Sequence, residues 1–150
     1  MTLQNILTLS CTQCAVSVQS KKRLLEQICQ LAANELGDTN PADLLNSLLN
    51  REKMGSTGIG NGIAIPHGRL NKTDKAIAVF LTTQQAIDFD AIDNKPVDIF
   101  VCLFVPESNT QEHLETLQSI AKLFSDRKTA KKVRKCTSQQ EMYNLIQQAT

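Results

Sequence analysis

The sequence predicts an α/β protein: a small central mixed β-sheet flanked by helices on both faces, a three-layer sandwich. Three observations carry that prediction. Helical periodicity marks residues 20–36, 40–54 and the stretch from 109 onward. Between these lie two runs rich in β-branched and aromatic residues, "KAIAVFLTT" and "PVDIFVCLFVP". The second is almost continuously apolar, as a strand covered on both faces must be.

Taken in order, "CAVSV" is a short strand candidate. "SKKRLLEQICQLAANEL" opens on Ser20 as an N-cap, sets Leu24, Ile28 and Leu31 at helical spacing, and meets Gly37 as its stop. "NPADLLNSLLNREKM" begins with Asn40 as cap and Pro41 at the first helical position, with Leu44, Leu45, Leu48 and Leu49 on one side. "GIAIP" reads as a short strand ending at His67. The two apolar strands follow, separated by "AIDFDAIDNKP", where Asp93–Asn94 supplies turn chemistry. "NTQEHLETLQSIAKLFSD" returns to helical period with Leu114, Leu117, Ile120, Ala121 and Phe124 as its apolar face. "SQQEMYNLIQQA" is a last helix, with Ser138 and Glu141 as a capping box. No stretch has linker composition and nothing repeats, so residues 1–150 read as one domain.

Hydrophobic residues make up 41% of the chain and charged residues 21%, with a formal charge of +1. No global field points to nucleic acid or a membrane. "TLQNILTLSCTQC" lacks the basic start and apolar core of a secretory signal, and "IFVCLFVP" is too short to insert in a bilayer. Five cysteines, an odd number, argue against a secreted disulfide framework and for the cytoplasm. Cys11 and Cys14 form a C-x-x-C, but no second pair completes a zinc site. The strand that follows is also the wrong context for a thioredoxin-type pair, so both read as small residues in a reducing compartment. No metal and no cofactor is expected.

The stretch "GSTGIGNGIAIPHGR", residues 55–69, holds five of the six glycines and one of the two histidines. It is not a Walker A loop, because no lysine follows a glycine in the required place. It is not a Rossmann fingerprint, because Gly58, Gly60 and Gly62 follow a helix and lead into a strand. Ser56 sits in nothing like a nucleophile elbow. What remains is His67, its launch point stiffened by Pro66 and opened by Gly68. With an ordinary pKa of about 6.5, some three-quarters of such a side chain is neutral at pH 7. If Nδ1–H is held by a carbonyl, Nε2 is left as a nucleophile. Phosphoryl transfer needs such a nucleophile and fixed donors around the phosphoryl oxygens. Glycine amides, the Ser56 and Thr57 hydroxyls and the Arg51 guanidinium are candidate donors. A tight surface loop with an incidental histidine is the other reading of the same residues.

A family resemblance now adds to that reading. "REKMGSTGIGNGIAIPHGRL" resembles the active-site segment of the enzyme IIA proteins of the bacterial phosphotransferase system, in the fructose/mannitol superfamily. "FDAIDNKPVDIFVCLFVP" and "HLETLQSIAKLF" resemble its next strand and helix, and "SKKRLLEQICQLAANEL" resembles the first helix of the nitrogen-regulatory branch. The resemblance implies that His67 is phosphorylated on Nε2 by a small HPr-like carrier. It also implies that His113 is a second active-site histidine donating to the phosphoryl oxygens. Arg51 matches a position close to the site, with a salt bridge to Glu52 or to a neighbouring helix as the alternative. Relatives in this branch regulate potassium transport and sensor kinases by contact, so partners of that kind are implied.

The expected function is therefore a histidine phosphocarrier whose phosphorylation state is the output. The alternatives are a fructose- or mannitol-type enzyme IIA serving a transporter's IIB domain, and a non-catalytic anion- or nucleic-acid-binding module. Asp88, Asp90 and Asp93 lack the spacing of a calcium loop and read as turn residues. "RKTAKKVRK", with six basic side chains in nine positions, reads as a solvated helix face or a surface for an acidic partner.

Overall fold

The computed structural model describes residues 2–70, 75–107 and 110–149. A one-turn helix α1 (Leu3–Ile6) runs into β1 (Leu7–Val16), then α2 (Lys21–Leu36) and α3 (Pro41–Glu52). Three short strands follow: β2 (Gly58–Gly60), β3 (Ile63–Ala64) and β4 (His67–Leu70). The long strands β5 (Ile77–Ile87) and β6 (Val97–Pro106) precede α4 (Thr110–Ser125), α5 (Arg127–Lys135) and α6 (Gln139–Gln148).

The caps explain the helix boundaries. Ser20 accepts the Arg23 amide at 3.2 Å and Asn40 accepts the Ala42 amide at 3.0 Å. Asp126 accepts the Lys128 amide at 3.2 Å, starting α5 as a helix separate from α4. Ser138 accepts the Glu141 amide at 3.1 Å, while the Glu141 carboxylate reaches back to the Thr137 amide and hydroxyl.

The sheet is mixed and six-stranded, in the order β1-β5-β6-β3-β2, with β4 also on β6. β1 and β5 are parallel, β5 and β6 antiparallel, and β3 and β4 both run parallel to β6. Ile63 lies opposite Ile99 and His67 opposite Leu103, so β3 and β4 keep one register along β6. The strand expected to end at His67 therefore continues through Leu70, broken only at Ile65 and Pro66. Proline lacks an amide, yet its carbonyl still accepts the Leu103 amide at 3.0 Å.

β6 alternates between two cores. Phe100, Cys102 and Phe104 face Leu24, Ile28, Leu44 and Leu48 of α2 and α3, while Ile99, Val101 and Leu103 face Leu3, Ile120, Phe124, Val133 and Ile146. Each such side chain contributes about 1.5–3 kcal/mol on burial. This is the expected three-layer α/β sandwich.

Two expectations need correcting, the extent of the first strand and the place of Leu114. The strand placed at residues 14–18 is the end of a ten-residue strand, Leu7–Val16. Its polar middle hid it, because β1 gains from backbone pairing with β5 what it lacks in apolar alternation. Cys11 and Cys14 point into opposite cores, and the Cys14 thiol donates to the Cys136 carbonyl at 3.2 Å. Leu114, placed on the apolar face of α4, is 48% exposed. No helix among the described residues is long and apolar enough to cross a membrane.

Candidate active site

His67 opens β4 with both ring nitrogens engaged. Nδ1 lies 3.0 Å from the Ile65 carbonyl, which can only accept, so Nδ1 carries a proton. Nε2 lies 3.0 Å from Arg51 Nε, which can only donate, so Nε2 presents its lone pair. The two contacts require the same neutral tautomer. Burial lowers the His67 pKa below its ordinary 6.5, the Ile65 carbonyl opposes that, and the Arg51 charge adds to it. The ring is thus neutral at pH 7, with its nucleophilic nitrogen under a guanidinium.

Arg51 comes from the last turn of α3 and also donates from Nη1 to the Gly55 carbonyl at 2.8 Å. Among the described residues it has no carboxylate partner; Glu52 pairs instead with Lys21 at 2.8 Å. The alternative of an Arg51–Glu52 salt bridge is not what forms.

Gly68 lets α3 lie this close. A Cβ there would stand 2.8 Å from Ser47 Oγ, which accepts the Arg69 amide at 2.8 Å. The glycine thus brings the α3 helix against β4.

His113, on α4, is 5% exposed, and neither of its ring nitrogens has a partner among the described residues. Burial lowers its pKa too, so it is neutral at pH 7 with one N–H and one lone pair unsatisfied. Leaving such a group unpaired costs about 1–3 kcal/mol. Arg51, His67, Gly68 and His113 line one groove of about 520 Å³, rimmed by Met54 and Leu114. Met54 is 83% exposed, an apolar side chain left in solvent on the groove that His67 lines. Sequence periodicity could not single out Leu114, because it continues the Leu117 spacing by one more turn.

Ser56 and Thr57 are absent from that groove's lining. The Ser56 hydroxyl donates to the Phe89 carbonyl at 2.8 Å and accepts the Gly58 amide at 3.0 Å. The Thr57 hydroxyl and amide both donate to the Glu52 carboxylate. Of the amides expected to lie bare around His67, those of Thr57 and Gly58 are bound by Glu52 and Ser56, and that of Asn61 by Asp93. The glycines serve the turn instead: Asn61 and Gly62 have φ of 58° and 79°, joining β2 to β3 as a tight Asn-Gly hairpin. Asp88 accepts the Asp90 amide, and Asp93 those of Lys95 and Asn61, as turn residues do.

The family model for the EIIA 2 component of the phosphoenolpyruvate-dependent sugar phosphotransferase system matches residues 5–149. The chain belongs to this EIIA family. Within it, the chain is 47% identical over 148 residues to a nitrogen regulatory protein of Klebsiella oxytoca, covering 98% of this chain and 91% of that one. The crystal structure of nitrogen regulatory protein IIA-Ntr from Neisseria meningitidis superposes with a TM-score of 0.89 at 39% identity, covering 96% of this chain and 98% of that one. A fructose-like EIIA component of Escherichia coli K12 is 32% identical over 116 residues, 77% of this chain and 78% of that one. The EIIA chain described here thus falls with the nitrogen-regulatory branch of its family.

Proposed function

We propose that this chain is a regulatory phosphocarrier of a nitrogen-branch phosphotransferase system, acting in the cytoplasm. Nε2 of His67 attacks the phosphorus of a phosphohistidine on an HPr-like carrier. The new N–P bond forms as the carrier's N–P bond breaks, the carrier imidazole leaves with its lone pair, and no proton has to move. The observation that carries the reading is the pair of opposed contacts on the ring, which fixes Nδ1–H and leaves the lone pair on the groove side.

Arg51 has to swing off Nε2 to admit phosphorus, and its guanidinium, without a carboxylate partner among the described residues, then meets the phosphoryl oxygens. His113 supplies a second donor, and its buried N–H gains the acceptor it lacks. Ser56, Thr57 and Gly68 act indirectly, by holding the loop and by letting α3 approach. The phosphoryl group adds about two negative charges beside the Met54 and Leu114 rim, enough to favour one partner and repel another. Targets of the kind contacted by this branch, potassium transporters and sensor kinases, fit such a switch.

The test is incubation with phosphoenolpyruvate, enzyme I and an HPr-like carrier. Wild type should take an acid-labile, base-stable phosphate, and His67→Ala should take none. Label on His67→Ala would overturn the assignment. Label lost on adding a sugar and transporter membranes would mark a sugar-transport EIIA instead.

A further inference from the structure

We propose that Lys21, the first residue of α2, is a positioning residue for phosphoryl transfer, acting through Glu52 to aim Arg51 at His67. The inference rests on the reading of His67 as the phosphoryl acceptor. Lys21 Nζ stands 2.8 Å from Glu52 Oε2. The Glu52 side chain is only 7% exposed, and its carboxylate also takes the amide and hydroxyl of Thr57. Lys21 further donates to the Phe89 carbonyl at 3.4 Å and lies 4.4 Å from the Phe89 ring centre. One cation therefore joins α2, the end of α3, the loop after it and the segment beyond β5.

Glu52 immediately follows Arg51, and Arg51 holds the Gly55 carbonyl. The turn carrying the guanidinium is thus pinned on two sides, by Arg51–Gly55 and by Glu52–Thr57. A buried carboxylate keeps such a geometry only while its charge is matched. Lys21 is the cation within ion-pair distance of Glu52 among the described residues. Lys21 does not line the groove, so it acts on the reaction without touching the phosphoryl group.

Single-turnover phosphorylation by the loaded carrier tests this with Lys21→Met, Lys21→Arg, Glu52→Gln and the Lys21→Met/Glu52→Gln pair. Lys21→Met should slow acceptance roughly tenfold at saturating carrier, without shifting the half-saturating concentration. Lys21→Arg should restore most of the rate, and the double variant should be no slower than Glu52→Gln alone.

An NMR titration of the His67 ring in the bare protein needs no phosphate donor. Among the described residues, the charged and titratable groups around that ring are Arg51 and Glu52 of α3, Arg69 of β4, Glu107 after β6, and His113 of α4. In Lys21→Met the unmatched Glu52 charge should move the His67 titration to higher pH, and Lys21→Arg should return it. If Lys21→Met does not fold, Lys21→Gln keeps a donor without the charge and should show the same direction of change. A folded variant with wild-type rate and unchanged titration would overturn the proposal, as would fully additive losses in the double variant. If wild type takes no label, the phosphocarrier reading fails, and the titration still decides whether Lys21 sets the ring's surroundings.

Discussion

Two arginines hold the glycine-rich segment, and they are used in opposite ways. Arg134, on α5, grips the β2–β3 turn in its middle: it donates to both Asp98 carboxylate oxygens at 2.9–3.1 Å and to the Asn61 carbonyl at 2.7 Å. Its charge is matched and its geometry closed. Arg51, at the segment's two ends, meets among the described residues a neutral ring nitrogen and a carbonyl. Its charge is unmatched among the described side chains. The same residue type is a structural clamp where a carboxylate faces it, and a reserve of positive charge where none does. On the proposed reading of His67 as phosphoryl acceptor, it is the second kind that lies beside the nucleophile.

That contrast is open to direct attack. Arg51→Ala should lower the rate of phosphoryl acceptance about a hundredfold, near 3 kcal/mol of barrier, with little loss of thermal stability. Arg51→Lys should recover part of the rate, because a point charge survives but the fork does not. His113→Leu should slow acceptance about tenfold while leaving melting temperature equal or higher, since it removes two buried unpaired nitrogens. A clear drop in its melting temperature would show that His113 is held for packing.

Arg134→Ala should do the reverse of Arg51→Ala. We expect it to cost about 1 kcal/mol, because the pair is partly exposed, and to lower melting by a few degrees. Labelling of His67 should be unchanged; slowed labelling would mean the β2–β3 turn is coupled to the groove.

The smallest effect is in pH. His67 and His113 both have pKa values below 6.5, because burial disfavours the imidazolium. The unfolded chain therefore binds more protons, and their contribution to stability is complete above pH 6.5 and lost as pH falls through the folded-state values. Acceptance should be level from pH 8 to 6.5 and fall only below that. A rate already falling at pH 7.5 would contradict the neutral tautomer.

Much of this fold was legible in particular residues. Ser20 and Gly37 bound α2, Asn40 and Pro41 open α3, and the apolar run of β6 announces a buried strand. These signals are local, so one chain suffices to read them. The junction at Asp126, the long β1 and the continuation of β3 into β4 were not legible. Each depends on pairing with a distant strand or on a cap that interrupts no hydrophobic period. At the site, the fold brings the candidates His67, Arg51, Gly68 and His113 to one groove, while it turns Ser56 and Thr57 into the loop. The glycines looked like an anion cradle, but they make a hairpin turn.

Sequence alone settles which side chains are chemically able to act, because reactivity belongs to the residue: a histidine, an arginine, a lysine, a glutamate. It does not settle which of them meet. Whether Glu52 pairs with Arg51 or with Lys21 is decided by how α2 and α3 pack across the sheet, since a charge chooses its partner by distance and burial and not by its place in the chain.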